Sequence, residues 1–146
     1  MAMAMAKNSK MTYMLMTMGL MAVVLLGTAS LATAASGVAT FYTEYTPSAC
    51  YRNKNMGNMV AAASDSFWNN GAVCGRCYRV KCTGPAHGGS GNPCTGNSVV
   101  VKIVDECASS DGCKSTIDLS KQAFAKIAGN LDAGEVKVTF NPTGCP

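Results

Sequence analysis

Cys74-Gly75-Arg76-Cys77-Tyr78-Arg79-Val80-Lys81-Cys82 is the stretch on which the reading of this chain turns. A redox Cys-x-x-Cys opens a helix, whose N-terminus lowers the pKa of a thiol. Here Tyr78 to Lys81 alternate apolar and charged side chains, the period of a strand with one face buried. A zinc site would need a second close pair of ligands. The one histidine, His87, lies in Gly84-Pro85-Ala86-His87-Gly88-Gly89, where a solvated loop position is expected. The three cysteines are therefore read as structural, and no metal or cofactor is expected.

Working outward, the chain falls into two parts. Eight of the ten methionines precede residue 22, whereas all eight cysteines follow residue 49. Lys7 and Lys10, the uncharged apolar run from Met11 to Leu26 and Ala32-Thr33-Ala34 have the layout of a secretory signal over residues 1–35. The apolar run is short for a membrane anchor, and no basic stop-transfer cluster follows it, so no membrane span is expected after cleavage. No retention tetrapeptide, anchor tail or permitted Asn-x-Ser/Thr acceptor is present. Without Lys7 and Lys10, the 12 basic side chains become 10 against 8 acidic ones, a net of +2. That is too weak and scattered for a nucleic-acid footprint.

Residues 36–146 are expected to be one small exported domain, a monomer. Two leucines, three isoleucines and ten valines make a thin core for that length. Eight cysteines in an oxidising compartment read as four disulfides that supplement it, with the connectivity left open by spacing alone.

The remaining pattern is mostly strands. Gly37 to Tyr42 forms the first, with Val38, Thr40 and Tyr42 on one face, and Met59 to Ala63 the second. Ser64-Asp65-Ser66 caps a helical turn through Trp68, and Cys77 to Cys82 is the third strand. Gly84 to Gly96 is a loop holding Cys94. Ser98 to Val104 is almost continuously apolar, which predicts a central strand covered on both faces. Ile117 starts a short fifth strand leading into a helix from Ser120 to Ala128, capped by Asp118 or Ser120. Glu135 to Phe140 is the last strand, with Val136, Val138 and Phe140 inward. Short strands with one real helix predict a small closed β-barrel.

Few residues carry chemistry. Serine triads lack a suitable histidine, and no Gly-rich stretch cradles phosphate. Asp105 ends the fourth strand, and Asp118 sits where a strand meets a helix, so both are placed at a barrel rim, where carboxyl groups can share acid and base work on a glycosidic bond. The plainer alternatives are that Asp118 caps its helix and that Asp105 anchors the turn between Cys107 and Cys113. Tyr42, Tyr45, Tyr51 and Trp68 are candidates for a sugar-stacking face, while Phe41, Phe67 and Tyr78 are assigned to the core.

Thr40-Phe41-Tyr42, Phe67-Trp68-Asn69-Asn70-Gly71-Ala72-Val73 running into Cys74 to Cys82, Val104-Asp105-Glu106-Cys107, and Ile117-Asp118-Leu119-Ser120-Lys121-Gln122-Ala123-Phe124 together resemble the first domain of expansins, in the barwin-like superfamily. Tyr45-Thr46-Pro47-Ser48-Ala49-Cys50-Tyr51 resembles the short, single-domain plant natriuretic peptides within it. The resemblance covers essentially all of residues 36–146. It implies a mainly β fold, a six-stranded double-psi β-barrel with one or two short helices. It also implies the disulfides Cys50–Cys74, Cys77–Cys145, Cys82–Cys94 and Cys107–Cys113, and an open groove lined by Thr40, Tyr42, Asp105 and Asp118, to which we add Trp68. The second, carbohydrate-binding domain of true expansins is not expected, since the chain ends at Pro146.

Two residues depart from the expansin pattern: Thr116 replaces a histidine and Thr43 a glycine. The resemblance then implies a non-enzymatic extracellular signal in water and ion homeostasis, acting in the apoplast through a cell-surface receptor, with Tyr45 to Asn70 as the recognition segment. A second reading is a binder or loosener of cell-wall polysaccharide. A third follows family 45 of the glycoside hydrolases, an inverting β-glucan hydrolase with Asp118 as acid and Glu44 as base.

Overall fold

The computed structural model describes residues 34–88 and 91–146. The expected export signal lies outside them except for its last two residues, and Ala35 already begins the first strand. Six strands follow: β1 (Ala35–Tyr42), β2 (Val60–Ser64), β3 (Cys77–Pro85), β4 (Ser98–Cys107), β5 (Ile117–Ser120) and β6 (Val136–Thr143). Two short helices interrupt them, α1 (Asp65–Trp68) and α2 (Lys121–Ile127). The strands close in the order β1-β5-β2-β4-β3-β6. The β1/β5 and β2/β4 pairs are parallel and the other four antiparallel. This is the six-stranded double-psi barrel.

Alternation along each strand separates inside from outside. Ala39, Ala61, Ala63, Tyr78, Val80, Val99, Val101, Ile103, Ile117, Leu119, Val136, Val138 and Phe140 fill the interior. Small alanines on β1 and β2 face larger residues on β4 and β5, as a narrow barrel requires. Helix α2 adds Ala123, Phe124 and Ile127 to the same core. Phe124 meets Phe41 with ring centroids 5.1 Å apart. Phe67, Tyr78 and Phe140 form a second aromatic cluster, with centroids 4.9 to 6.1 Å apart.

The four disulfides are Cys50–Cys74, Cys77–Cys145, Cys82–Cys94 and Cys107–Cys113, the pairing that the resemblance implies. Cys77–Cys145 ties the start of β3 to the residues after β6.

Several expectations need correction. Strand β4 is not covered on both faces. Val99, Val101 and Ile103 are buried, but Val100 and Lys102 are partly exposed, because one side of a closed barrel's strand faces outward. Strand β3 continues to Pro85, pairing past a bulge with β6, so the Gly-rich loop starts at Ala86. Ser120, not Asp118, caps α2, its hydroxyl accepting from the Ala123 amide at 3.1 Å. Asp105 does not anchor the turn closed by Cys107 and Cys113. Its Oδ1 accepts from the amides of Ala49 (2.8 Å) and Glu106 (2.9 Å), and so holds the loop after β1 against β4. Among the described residues no helix is long and apolar enough to cross a membrane.

Candidate functional site

Register, not sequence proximity, assembles the site. Thr40 on β1 pairs with Asp118 on β5, Asp118 with Ala62 on β2, and Ala62 with Asp105 on β4. Their chain neighbours Ala39, Ile117, Leu119, Ala61 and Ala63 are in the core, so this row faces outward. Ala62, 3% exposed, is its floor. Two positions along β1 from Thr40, Tyr42 shares that outward face. The structure thus places Thr40, Tyr42, Asp105 and Asp118 near one another.

Asp118 is the carboxyl group of this row whose pKa is shifted. Burial pushes its carboxyl above the usual value of 3.8, the nearby Asp105 charge adds to this, and the Thr40 hydrogen bond opposes it. Thr40 Oγ1 lies 2.7 Å from Asp118 Oδ1 and 2.8 Å from Ser115 Oγ. Thr40 has one hydroxyl proton, so the chain has two states. When Asp118 is ionised, Thr40 donates to it and accepts from Ser115. When Asp118 is protonated, it donates to Thr40, which turns its proton to the 6%-exposed Ser115.

The raised pKa has a stability consequence. Between pH 3.8 and the raised value, the folded protein holds a proton that the unfolded chain has released. Stability therefore falls as pH rises through that window. Asp118→Asn removes the penalty while keeping an acceptor for Thr40. We expect the variant to melt above the parent at pH 7 and to lose that advantage below pH 3.8, as calorimetry across pH will measure.

Tyr42 has a buried hydroxyl with no hydrogen-bond partner. Burial pushes its pKa up, and the charges of Asp105, Asp118 and then Tyr45 push it further. Its ring meets Tyr45 edge-on at 5.1 Å. Tyr45 is itself pinned to the start of α2, donating to Gln122 Oε1 (2.6 Å) and accepting from the Lys121 amide (3.2 Å). A neutral phenol near two carboxyl groups is here a buried donor without a partner.

Beside Thr40 and Asp118 opens a pocket of about 380 Å³, lined also by Glu106, Asp111, Lys114, Glu135 and the Cys107–Cys113 disulfide. The sequence does not single out the four charged residues among them for the site. Glu106 adjoins Asp105 in a quoted motif, but nothing local marks Glu135. It reaches the pocket because β6 pairs with β1 through Val136 and Ala39, which sets Glu135 beside Thr40.

Two expected residues lie elsewhere. Trp68 is half-buried and packed against the core, outside the pocket lining. Glu44 is exposed, two residues beyond the end of β1, and does not line the pocket with Asp118. Inverting hydrolysis needs two carboxyl groups about 6.5–9.5 Å apart across a glycosidic bond. Of the other carboxyl groups near Asp118, Asp105 has one oxygen committed to two amides, and Glu106, Asp111 and Glu135 line the same pocket.

The family model described as "Lytic transglycolase" matches residues 60–140. An EG45-like domain containing protein of Citrus jambhiri is 58% identical over 113 residues, covering 77% of this chain and 84% of that protein. Among solved structures, a point mutant of the Clavibacter michiganensis expansin in complex with cellohexaose is similar, with a TM-score of 0.57 and 23% identity over 78% of this chain and 52% of that one. A family-45 endoglucanase in complex with cellobiose has a TM-score of 0.56 and 19% identity, covering 77% of this chain and 82% of that one. At these identities the two structures speak for the fold.

Proposed function

The chain belongs to the EG45-like, expansin-like family of double-psi barrel proteins, and on that footing we propose that it is an extracellular, wall-associated protein that binds a neutral β-glucan chain without hydrolysing it. The observation carrying this reading is the outward row Thr40–Asp118–Ala62–Asp105 with the unpartnered Tyr42 hydroxyl beside it. A small floor, a hydroxyl, a carboxyl group whose pKa burial raises and a phenol suit the hydroxyl groups of a sugar ring. The expansin with the same barrel was crystallised with cellohexaose, which suggests the ligand class.

Hydrolysis is less well supported. Glu44 stands in solvent, away from the pocket that Asp118 lines. Asp118 can protonate a leaving oxygen, but the carboxylates that share its pocket, Glu106, Asp111 and Glu135, are not the base that the family-45 resemblance implies. Titration of cellohexaose into the oxidised domain tests the binding reading. Thr40→Val removes the hydroxyl that links Asp118 to Ser115, and we expect it to weaken binding by about 1–2 kcal/mol, roughly a tenfold loss. An affinity unchanged by Thr40→Val would refute this use of the row.

A second reading, a natriuretic-peptide-like signal in water balance, is favoured by the loop after β1. Arg52, Asn53, Lys54 and Asn55 are exposed there. Cys50–Cys74 and the Asp105 hydrogen bonds hold that loop in one shape. A cell-surface receptor would meet a presented epitope, and water uptake by protoplasts given the folded domain is the assay for it.

A further inference from the structure

Ten cations look scattered in the sequence, yet the sheet gathers four of them. Outward positions along β3 are Cys77, Arg79 and Lys81, followed by the bulge before Gly84. Cys77 pairs with Lys102 of β4, and Gly84 pairs with Lys137 of β6. Lys102, Arg79, Lys81 and Lys137 therefore occupy four successive outward rows, in a diagonal stripe from β4 across β3 to β6. At about 6.7 Å between outward rows, the stripe spans about 20 Å.

Arg79, Lys81 and Lys137 are exposed and Lys102 half-buried. None of the four makes an ion pair among the described residues. The positions between them are Ser98, Val100, Thr139 and Asn141, so the central rows carry no carboxylate. Glu135 borders the stripe beyond Lys137, and its carboxylate is held by His87 Nε2 at 2.8 Å. Strand β3 lies three places from β5 in either direction around the barrel. The centre of the cationic stripe, on β3, is thus opposite Asp118, and its Lys137 end alone approaches the acidic pocket, through Glu135.

We propose that this outer face of β3, with its neighbours on β4 and β6, is a second glycan-binding surface that takes a linear polyuronate. Four unpaired cations at regular rows complement a chain bearing a carboxylate on every sugar. Arg79 offers a two-pronged donor for carboxylate, and the hydroxyl and amide side chains between the cations suit sugar hydroxyls. Of its apolar outward residues Cys77 is buried and Val100 only partly exposed, which disfavours a membrane surface, where apolar insertion accompanies charge. The inference stands apart from the neutral-glucan groove, since no residue is shared.

The test uses the oxidised domain with four probes: polygalacturonate, its fully methyl-esterified form, vesicles containing phosphatidylserine, and cellohexaose. We expect polygalacturonate to bind, to weaken as salt rises, and to lose binding on esterification. Arg79→Glu/Lys81→Glu should reduce polygalacturonate affinity at least about tenfold, with cellohexaose binding and melting temperature unchanged. Arg79→Gln/Lys81→Gln replaces it should charge reversal impair folding. Polygalacturonate affinity unaltered in the folded double variant would overturn the proposal, as would tighter binding to the vesicles. The cellohexaose arm reports separately on the groove.

Discussion

The double substitution Cys77→Ser/Cys145→Ser is expected to lower unfolding free energy by about 4 kcal/mol, against about 2 kcal/mol for Cys107→Ser/Cys113→Ser. The difference follows from loop length. The first bridge joins residues separated by 68 positions and the second residues separated by 6, so the first removes far more freedom from the unfolded chain. Small domains have about 5–15 kcal/mol in total, so loss of the long bridge approaches the unfolding limit. Urea denaturation of the two variants checks the ranking, and equal losses would show that native contacts rather than loop closure dominate. The shorter bridge also lines the pocket beside Asp118, so its removal should weaken glucan binding in a domain that still folds.

Phe124→Ala carries the second large effect. Phe124 is fully buried on α2, which packs against β1, β4 and β5 and fills one part of the barrel core. Its ring meets Phe41, and its helix packs on several strands of the barrel, so collapse into the vacated space is resisted. A loss of about 3–5 kcal/mol is expected. For a domain of this size that lowers the melting temperature by more than about 10 °C. Phe124→Leu, which keeps most of the volume, should recover much of it. A melting temperature unchanged by Phe124→Ala would mean that α2 is not part of the cooperative unit.

The strands were legible because each alternates around an inward apolar set, and Val136, Val138 and Phe140 show this most plainly. The outward partners Thr40 and Tyr42 followed from the same alternation. The closing pairs of the barrel were not legible. That Asp118 lies between Thr40 and Ala62, and that Glu135 joins them, depends on pairings between distant segments. Glu44 continues the alternation of Thr40 and Tyr42 in the sequence, but regular pairing with β5 stops at Tyr42 and the alternation loses its meaning beyond it. Trp68 has the composition of a sugar platform. It packs on the core because α1 folds back beside β2, which no local pattern announced. The cation stripe was hidden for the same reason: Lys102 and Lys137 come near Arg79 and Lys81 only through β4 and β6.

The central claim is a glucan-binding row that does not cut its ligand, and amide chemical-shift mapping with cellohexaose, combined with a reducing-end assay on the same sample, tests it most directly. We expect shifts concentrated at Thr40, Tyr42, Ala62, Asp105 and Asp118, with no new reducing ends. Shifts absent from that row, or release of reducing sugar that Asp118→Asn abolishes, would contradict it.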